Sequence, residues 1–372
     1  MRIAQIAPLA ESVPPKLYGG TERVVHWLSE ELLALGHDVT LFASGDSKTN
    51  ARLVPVIPHA LRLGRPRMDP IAAQALLLEA VARRRGQFDF LHFHIDWLQL
   101  PLFSRMPTRF LTTFHGRLDL PGLKSITGQF PDAAFVSISN DQREPLPDLR
   151  WVRTIYHGLP DRYLQASTQP GRYLAFLGRL TAEKGPEDAI RIAKAVGMPL
   201  RIAAKVPRGE QRYFNEQLKP LIDGEQTQLV GEIDDRGKQD FLSQATALLF
   251  PIDWPEPFGL VMIEAMACGT PVIAYRSGSV VEVVDQGITG FVVEDEAEAI
   301  EAIGHLEQLD RKQVRKQFEK RFTAQRMARE YTEVYKGLLN GSANIEEAQP
   351  LTLGHDDGLR SLTVGTTPLH PS

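Results

Sequence analysis

Two glutamates flank a glycine in the segment from Asp253 to Pro271, namely Glu256 and Glu264 on either side of Gly259. An apolar run of strand length precedes the segment, and helical spacing begins near Gly259. A helix start presents free backbone N–H groups that suit an anion, and carboxylates accept hydrogen bonds from paired hydroxyls of a sugar or ribose. Alternatively, Glu256 caps the helix and Glu264 is a solvated surface residue. The Pro-Phe-Gly turn between them favours a functional role.

Two cations, Arg179 and Lys184, lie on a second loop, within residues 177–186. An apolar strand precedes this loop, and Pro186 is suited to the first turn of the following helix. An arginine fork combined with a lysine point charge suits a diphosphate. This segment alone fits equally well with an alternative in which both residues are solvated loop cations that bind no ligand.

A third loop, Tyr18 to Thr21, places Gly19 and Gly20 immediately before the first helical pattern. Glycines allow a ligand to approach the backbone closely, and a helix start favours phosphate. Thr21 is predicted to cap this helix. The alternative is an ordinary flexible loop between a strand and a helix.

Composition places the 372-residue chain among globular proteins with two or three domains, with 43% hydrophobic and 24% charged residues. The net charge of −4 argues against nucleic-acid binding. The lone Cys268 excludes an intrachain disulfide, and no apolar run is long enough to span a membrane. Residues 1–10 are predicted to form a strand and not a signal peptide, so a cytoplasmic protein is expected. Basic clusters predict solvated faces, with an anionic acceptor or a peripheral membrane contact as the alternative; they are Arg83–Arg85 and the trio Arg62, Arg65 and Arg67.

Apolar runs of strand length alternate with helical patterns along the chain, which predicts parallel sheets covered by helices. Strands are predicted over 3–8, 39–43, 88–93, 110–113, 134–138, 173–177, 200–204, 247–252 and 272–275. Helices are predicted from Thr21 to Leu35 and over 71–85, 186–196, 234–245, 259–267, 280–284, 296–308, 310–319 and 322–339. After Gly341 the periodicity ends, and residues 341–372 are predicted to be disordered.

His92, His94 and Asp96 alternate at strand spacing and could share one face as metal ligands. The stronger interpretation is that they line a cleft or bond to the backbone, because further ligands are missing. The chain also has no Asp-x-Asp motif. No metal site is therefore predicted.

The segment from Glu256 to Pro271 resembles the motif of two glutamates separated by seven residues in retaining glycosyltransferases of family 4. Gly178-Arg179 with Lys184-Gly185 is similar to the diphosphate clamp of that family, and Gly19-Gly20 is similar to its N-terminal donor loop. Further similar segments are 113–116 with His115, 157–158 with His157 in place of the usual Asn, 278–282 and 287–290. The resemblance covers roughly residues 1–340.

The resemblance implies an α/β protein of the GT-B fold, with two Rossmann-like, doubly wound parallel-sheet domains that face an interdomain cleft. Residues 1–160 would form the acceptor-side domain, and residues 161–320 the domain that binds a nucleotide sugar. Residues 321–340 would form a helix that crosses back to the first domain.

The resemblance also implies residue roles and a reaction. Glu264 would hold the ribose, and Arg179 and Lys184 would neutralise the leaving diphosphate. Glu256 would hold donor-sugar hydroxyls, and His115 would lie at the reaction centre. The backbone N–H groups implied to assist Glu256 belong to Phe258, Gly259 and Leu260. The reaction would move a hexose from a UDP- or GDP-linked sugar to a hydroxyl acceptor with retention, and the nucleotide sugar would be the co-substrate with no further cofactor.

Three other classes of protein are alternatives to a glycosyltransferase. A nucleotide-dependent oxidoreductase should carry Gly-x-Gly-x-x-Gly, and the sequence contains no Gly-x-Gly. A non-catalytic sugar-nucleotide binder stays open, as does an epimerase or phosphorylase on the same fold.

Many relatives have a Gly-rich turn where this chain has Ala204-Lys205, so Lys205 could itself approach the donor.

Overall fold

Thirteen strands, counted within the residues that the structure describes, build two separate sheets. The computed structural model describes residues 1–16, 19–62, 64, 68–169 and 171–341. The strands are β1 Arg2–Ile6, β2 Asp38–Ser44, β3 Arg52–Ile57, β4 Phe90–Phe93, β5 Phe110–Thr113, β6 Phe135–Ser137, β7 Trp151–Thr154, β8 Tyr173–Arg179, β9 Leu200–Lys205, β10 Thr227–Gly231, β11 Ala245–Phe250, β12 Val272–Tyr275 and β13 Gly290–Val293. The predicted tail beyond Gly341, together with Tyr18, Arg65 and Arg67, lies outside the described residues.

Helices connect the strands and cover the sheets. They are α1 Gly20–Ala34, α2 Pro70–Arg84, α3 Leu100–Phe103, α4 Leu123–Thr127, α5 Pro186–Ala195, α6 Gln211–Tyr213, α7 Asp235–Ser243, α8 Leu260–Ala267, α9 Val280–Val283, α10 Glu296–Gly304, α11 Arg311–Arg321 and α12 Ala324–Leu339. None of the helices in the described ranges combines the length and apolar character that crossing a lipid bilayer would require.

Both sheets have the doubly wound topology predicted from the sequence. The described part of the first sheet has the strand order β3-β2-β1-β4-β5-β6-β7, and that of the second has the order β10-β9-β8-β11-β12-β13. All of these strand pairs are parallel. Parallel strands require crossover connections, and these supply the helices on the two faces of each sheet.

Four strands were not predicted, and all four are edge strands: β3, β7, β10 and β13. The central strand β1 is buried at four of its five positions, whereas all four positions of β7 are half-buried. A strand covered on both faces has a continuous apolar run, and an edge strand does not need one. The run-length criterion therefore detected the centre of each sheet and missed its borders.

The last helix, α12, returns to the first sheet. Thr323 caps it by accepting from the N–H of Arg326, and a parallel bridge joins Thr323 to Leu159 just before the helix begins. The buried face of α12 packs in the same apolar core as the buried face of α1. Tyr335 on this face reaches Gln5 of β1 through a hydrogen bond of 3.2 Å.

Candidate functional site

A cleft of about 900 Å³ lies where loops from both sheets meet. Most of its lining comes from loops that follow strands, which is where open parallel sheets bind ligands. The cleft brings together every site residue singled out from the sequence. These residues are Gly19, Gly20, His115, Arg179, Lys184, Glu256, Phe258, Gly259, Leu260 and Glu264.

Lys184 and Glu256 form an ion pair between the loops that follow β8 and β11. The side chains are each 14% exposed, and Trp254 Nε1 donates to the same Glu256 oxygen at 3.0 Å. The ammonium of Lys184 lies 4.6 Å from the centre of the Trp254 ring. Burial lowers the pKa of Lys184, and the Glu256 carboxylate opposes that shift. A cation and a carboxylate are thus held together in the cleft with little access to water.

Two glycines allow the Lys184 and Glu256 loops to approach neighbouring backbone. Gly185 has a φ of +64°, and a Cβ there would lie 1.9 Å from the carbonyl oxygen of Pro251. Gly278 has a φ of +55°, and a Cβ there would lie 2.4 Å from the backbone nitrogen of Glu256. Any larger residue at either position would move the backbone that carries the ion pair.

Arg179 ends β8 and lines the same cleft. Its side chain is 35% exposed, and its guanidinium lies 3.6 Å from the Glu183 carboxylate. This exposure leaves the guanidinium accessible from the cleft. Arg179 and Lys184 therefore bring two cations to one loop, as a ligand with two negative charges would require.

The helix starts of α1 and α8 face each other across the cleft. Gly259 is the N-cap of α8 with a φ of +74°, and Gly19 is the N-cap of α1. No side chain of either N-cap residue therefore occupies the first N–H groups of these helices. A Cβ on Gly20 would lie 3.5 Å from Leu260 Cδ1. The predicted cap at Thr21 is wrong, because α1 begins one residue earlier, at Gly20. Two sets of helix-start N–H groups thus border one space, and such groups favour anions.

Glu264 is buried inside α8, with 3% of its surface exposed, so it is not a solvated surface residue. Its Oε1 atom accepts from Lys238 Nζ at 2.6 Å. Lys238 was not predicted as a site residue; it lies on α7, the helix that follows the unpredicted edge strand β10. Recognising that strand would have placed α7 beside the cleft.

Among the contacts that join the halves of the molecule, two hydrogen-bonded ones lie at different places. Arg23 of α1 donates from one nitrogen to both carboxylate oxygens of Asp235 at the start of α7, at 2.8 and 2.7 Å. Glu282 of α9 accepts from the backbone N–H groups of Asn140 and Asp141 at 2.8 and 2.9 Å. Arg23 and Asp235 line the cleft, and neither was predicted as a site residue.

The first-sheet side of the cleft also carries two carboxylates that the sequence analysis did not select. Glu11 and Glu22 are 4% and 5% exposed, and both line the cleft. Burial raises the pKa of each carboxyl group. Arg62 forms an ion pair with Glu11 and opposes the shift there.

His115 follows β5 and lines the cleft. Its ring stacks on that of His157 with centroids 5.2 Å apart. The Phe258 ring packs edge-on against His157, with centroids 4.9 Å apart. Burial lowers the pKa of His115 to about 3. The imidazole therefore carries no charge at neutral pH. The stack connects it with the loop between Glu256 and α8.

His92 lies on β4 and His94 directly follows it, and the ring nitrogens of both form hydrogen bonds within the protein. His92 bonds to Tyr335 and Thr113, each at 2.8 Å. His94 bonds to Gln5 at 2.7 Å and to His115 at 2.8 Å. In the described ranges, no three potential ligating side chains come together as a metal ion would need.

Two family models match successive parts of the chain. "Glycosyltransferase Family 4" matches residues 18–178, and "Glycosyl transferases group 1" matches residues 165–324. The glycogen synthase of Mycobacterium tuberculosis is 28% identical over 334 residues, covering 74% of this chain and 79% of its own.

Solved structures with the same fold have low sequence identity to this chain. Sucrose-phosphate synthase of Thermosynechococcus elongatus superposes with a TM-score of 0.75 at 21% identity, covering 92% of this chain and all of its own. HepE of Anabaena, solved with UDP and glucose, has a TM-score of 0.71 at 16% identity, covering 91% of this chain and all of its own. With the two facing parallel-sheet domains and the matches across both, the chain belongs to glycosyltransferase family 4 and has the GT-B fold.

Proposed function

We propose that this protein is a retaining hexosyltransferase that moves a hexose from a UDP- or GDP-linked sugar to a hydroxyl acceptor. One observation carries the proposal. Two buried or nearly buried carboxylates and three cations lie on the second-domain side of one cleft, next to the start of α8. They are Glu256, Glu264, Arg179, Lys184 and Lys238.

The charges suit the change that occurs in glycosyl transfer. As the bond between the sugar C1 and the diphosphate oxygen breaks, its electron pair leaves with the diphosphate and positive charge develops on the sugar. Arg179 and Lys184 stabilise the departing negative charge, because cations fixed in a partly dry site need no reorganisation. Glu256 and Glu264 accept hydrogen bonds from hydroxyls of the sugar and the ribose.

Retention follows if the acceptor oxygen attacks C1 from the face that the diphosphate leaves. The acceptor proton then goes to the departing diphosphate oxygen, so no covalent intermediate with the protein is needed. The proposed reaction uses the nucleotide sugar as co-substrate and no resident cofactor or metal. Support for a nucleoside diphosphate and a hexose comes from HepE, which was solved with UDP and glucose.

The experiment is nucleoside diphosphate release from a panel of UDP-, GDP- and ADP-linked hexoses, with and without mixed acceptor sugars. Glu256→Gln keeps the shape of the side chain and removes its charge. Glu294→Gln is the matched control, because Glu294 is exposed, pairs with Arg276 and does not line the cleft. We expect release from one donor, lost in Glu256→Gln and kept in Glu294→Gln.

The configuration of the product shows whether transfer retains the anomeric configuration of the donor. NMR of the product should show the same anomer as the donor, and the opposite anomer would exclude retention. Donor binding without release, in the presence of all acceptors, would identify a non-catalytic binder. If the protein neither binds nor releases any donor of the panel, the proposal is overturned.

A further inference from the structure

A chain of buried hydrogen bonds leads from Gln5 in the middle of the first sheet to His115 in the cleft. The Gln5 side chain is fully buried, and its Oε1 lies 2.7 Å from His94 Nε2. His94 Nδ1 lies 2.8 Å from His115 Nε2. At the other end, Gln5 Nε2 donates to the Tyr335 hydroxyl at 3.2 Å, and Tyr335 bonds to His92.

The order of donors and acceptors fixes the proton on each ring. Because Gln5 Oε1 accepts, His94 carries its proton on Nε2, and its Nδ1 must accept. His115 then carries its proton on Nε2, where it donates to His94. The Nδ1 atom of His115 is left as an acceptor, and among the described residues it has no hydrogen-bond partner.

The opposite orientation of the Gln5 amide would reverse these protons. Gln5 Nε2 would donate to His94 Nε2, His94 Nδ1–H would donate to His115 Nε2, and His115 would carry a proton on Nδ1. That proton would be a buried donor without a partner in the described structure, and orphaned buried N–H groups are rarer in proteins than under-satisfied buried acceptors. The hydrogen-bond arrangement therefore favours Nε2–H for both rings.

The groups around the pair leave it uncharged. The His92 ring lies tilted 4.0 Å from that of His94, His157 stacks on His115, and Arg326 donates to the backbone of His157. Burial lowers the pKa of His92, His94, His115 and His157, and the three neighbouring histidines lower the pKa of His94 further. Neutral imidazoles have two possible tautomers, so the proton position is set by hydrogen bonding alone.

We propose that Gln5 is a positioning residue for the transfer reaction: through His94 it holds His115 in the Nε2–H tautomer, so that Nδ1, which is buried and unpaired in the described part of the chain, is an acceptor for a substrate hydroxyl that enters beside it. The proposal rests on the proposed function, because it places a substrate beside His115. Gln5 itself does not line the cleft. Its role is to determine whether His115 presents an acceptor or a donor.

Gln5→Glu converts this arrangement into one that responds to pH. At high pH the carboxylate accepts from His94 Nε2–H, and the wild-type tautomers persist. At lower pH one proton is added, either to the carboxyl group, which then donates to His94 Nε2, or to the His94 ring. In both cases His94 Nδ1 becomes protonated. His115 Nε2 must then accept, and the His115 proton moves to Nδ1.

The first readout is ¹⁵N NMR of the full-length protein labelled at histidine, with His115→Gln used for assignment. Long-range ¹H–¹⁵N couplings distinguish protonated from unprotonated ring nitrogens. We expect His115 as Nε2–H in the wild type, and a change to Nδ1–H on acidification in Gln5→Glu only. Finding Nδ1–H in the wild type, or no change in the variant, would overturn the proposal.

The second readout is turnover as a function of pH, measured with the donor that the release experiment identifies. Gln5→Glu should match the wild type near about pH 8.5 and lose about tenfold or more on acidification, because the acceptor becomes a donor. A merely structural defect would lower activity at every pH, and that result would also overturn the proposal. Tyr331→Phe is the matched control, because it removes an equally buried hydroxyl that bonds to Thr113 at 2.9 Å on the branch away from His94. If the wild type turns over no donor, the proposed function fails, while the NMR result still tests the tautomers.

Discussion

The two sides of the cleft hold their polar groups in opposite ways. On the second-domain side, Lys184 with Glu256 and Lys238 with Glu264 form an ion-pair wall. On the first-domain side, His92, His94, His115 and His157 form a histidine cluster in which burial lowers every pKa. The ion-pair wall keeps its charges by pairing them, whereas the histidine cluster keeps its rings uncharged.

The difference matches the two charges that glycosyl transfer creates. The diphosphate becomes more negative as it leaves, and the ion-pair wall supplies cations that are already positioned. The sugar becomes positive, and a protonated imidazole beside it would raise the barrier. A neutral His115 can accept a hydrogen bond there without repelling the sugar. In the proposed reaction, the ion-pair wall would therefore serve the diphosphate and the histidine cluster would serve the sugar.

The first prediction, with the largest expected effect, is that acid lowers the free energy of unfolding through the histidine cluster. In the unfolded chain these histidines bind protons below about pH 6.5, whereas in the folded state they stay neutral, His115 down to about 3. The contribution of the cluster to the free energy of unfolding is therefore fully present above about pH 6.5. Below that pH, each histidine lowers the free energy of unfolding by about 1.4 kcal/mol per pH unit. Urea unfolding at a series of pH values measures this slope.

His157→Asn sharpens that test, because it removes one member of the cluster. The slope of unfolding free energy against pH should then fall by about 1.4 kcal/mol per pH unit below about pH 6.5. Equal slopes in the variant and the wild type would mean that His157 is already protonated in the folded protein.

The second prediction breaks one pair of the ion-pair wall. Lys238→Met leaves the Glu264 carboxylate, 3% exposed, without its partner at 2.6 Å. Removing one member of a buried pair should lower the unfolding free energy by about 3 kcal/mol. The double variant Lys238→Met with Glu264→Gln should recover part of that loss, because no unpaired charge is left. A single variant as stable as the wild type would show that the pair is not buried in solution.

The third prediction concerns the cation that is open to the cleft. Arg179→Ala should reduce turnover about ten- to a hundredfold, because a hydrogen bond to a charged group contributes about 1.5–3 kcal/mol. Arg191→Ala is the control, since Arg191 pairs with Glu296 at 2.8 Å and does not line the cleft. Unchanged turnover in Arg179→Ala would remove Arg179 from the leaving-group site.

The fold was predictable from the sequence for the strands inside each sheet, whereas the edge strand β13 was missed although it is apolar and buried at three of its four positions. The nine predicted strands are the inner strands of the two sheets, and the four missed strands are their edges. An edge strand such as β10 is only half-buried over most of its length, so its composition does not differ from that of a loop. Local apolar runs contain no information about which strand ends a sheet.

The candidate site was predictable where its residues share one segment. Glu256, Gly259 and Glu264 are close in sequence, and they line the cleft as a unit. Their partners could not be found in the same way. Lys238 reaches Glu264 across 26 positions, and Gln5 reaches Tyr335 across 330. Such pairs exist only once the sheets and α12 have packed.

The smallest expected effect concerns the ion pair of Arg23 and Asp235 between the two sides of the cleft. The Arg23 side chain is 10% exposed and that of Asp235 is 47% exposed, so solvent screening limits their coupling to about 0.5–1 kcal/mol. A double-mutant cycle of Arg23→Gln and Asp235→Asn on donor affinity should therefore give a coupling of about two- to fivefold, which high salt should reduce. If the domains close further on the donor, the coupling should favour the bound state. A coupling of zero at low salt would mean that the pair forms equally well with and without donor, and that closure does not involve this contact.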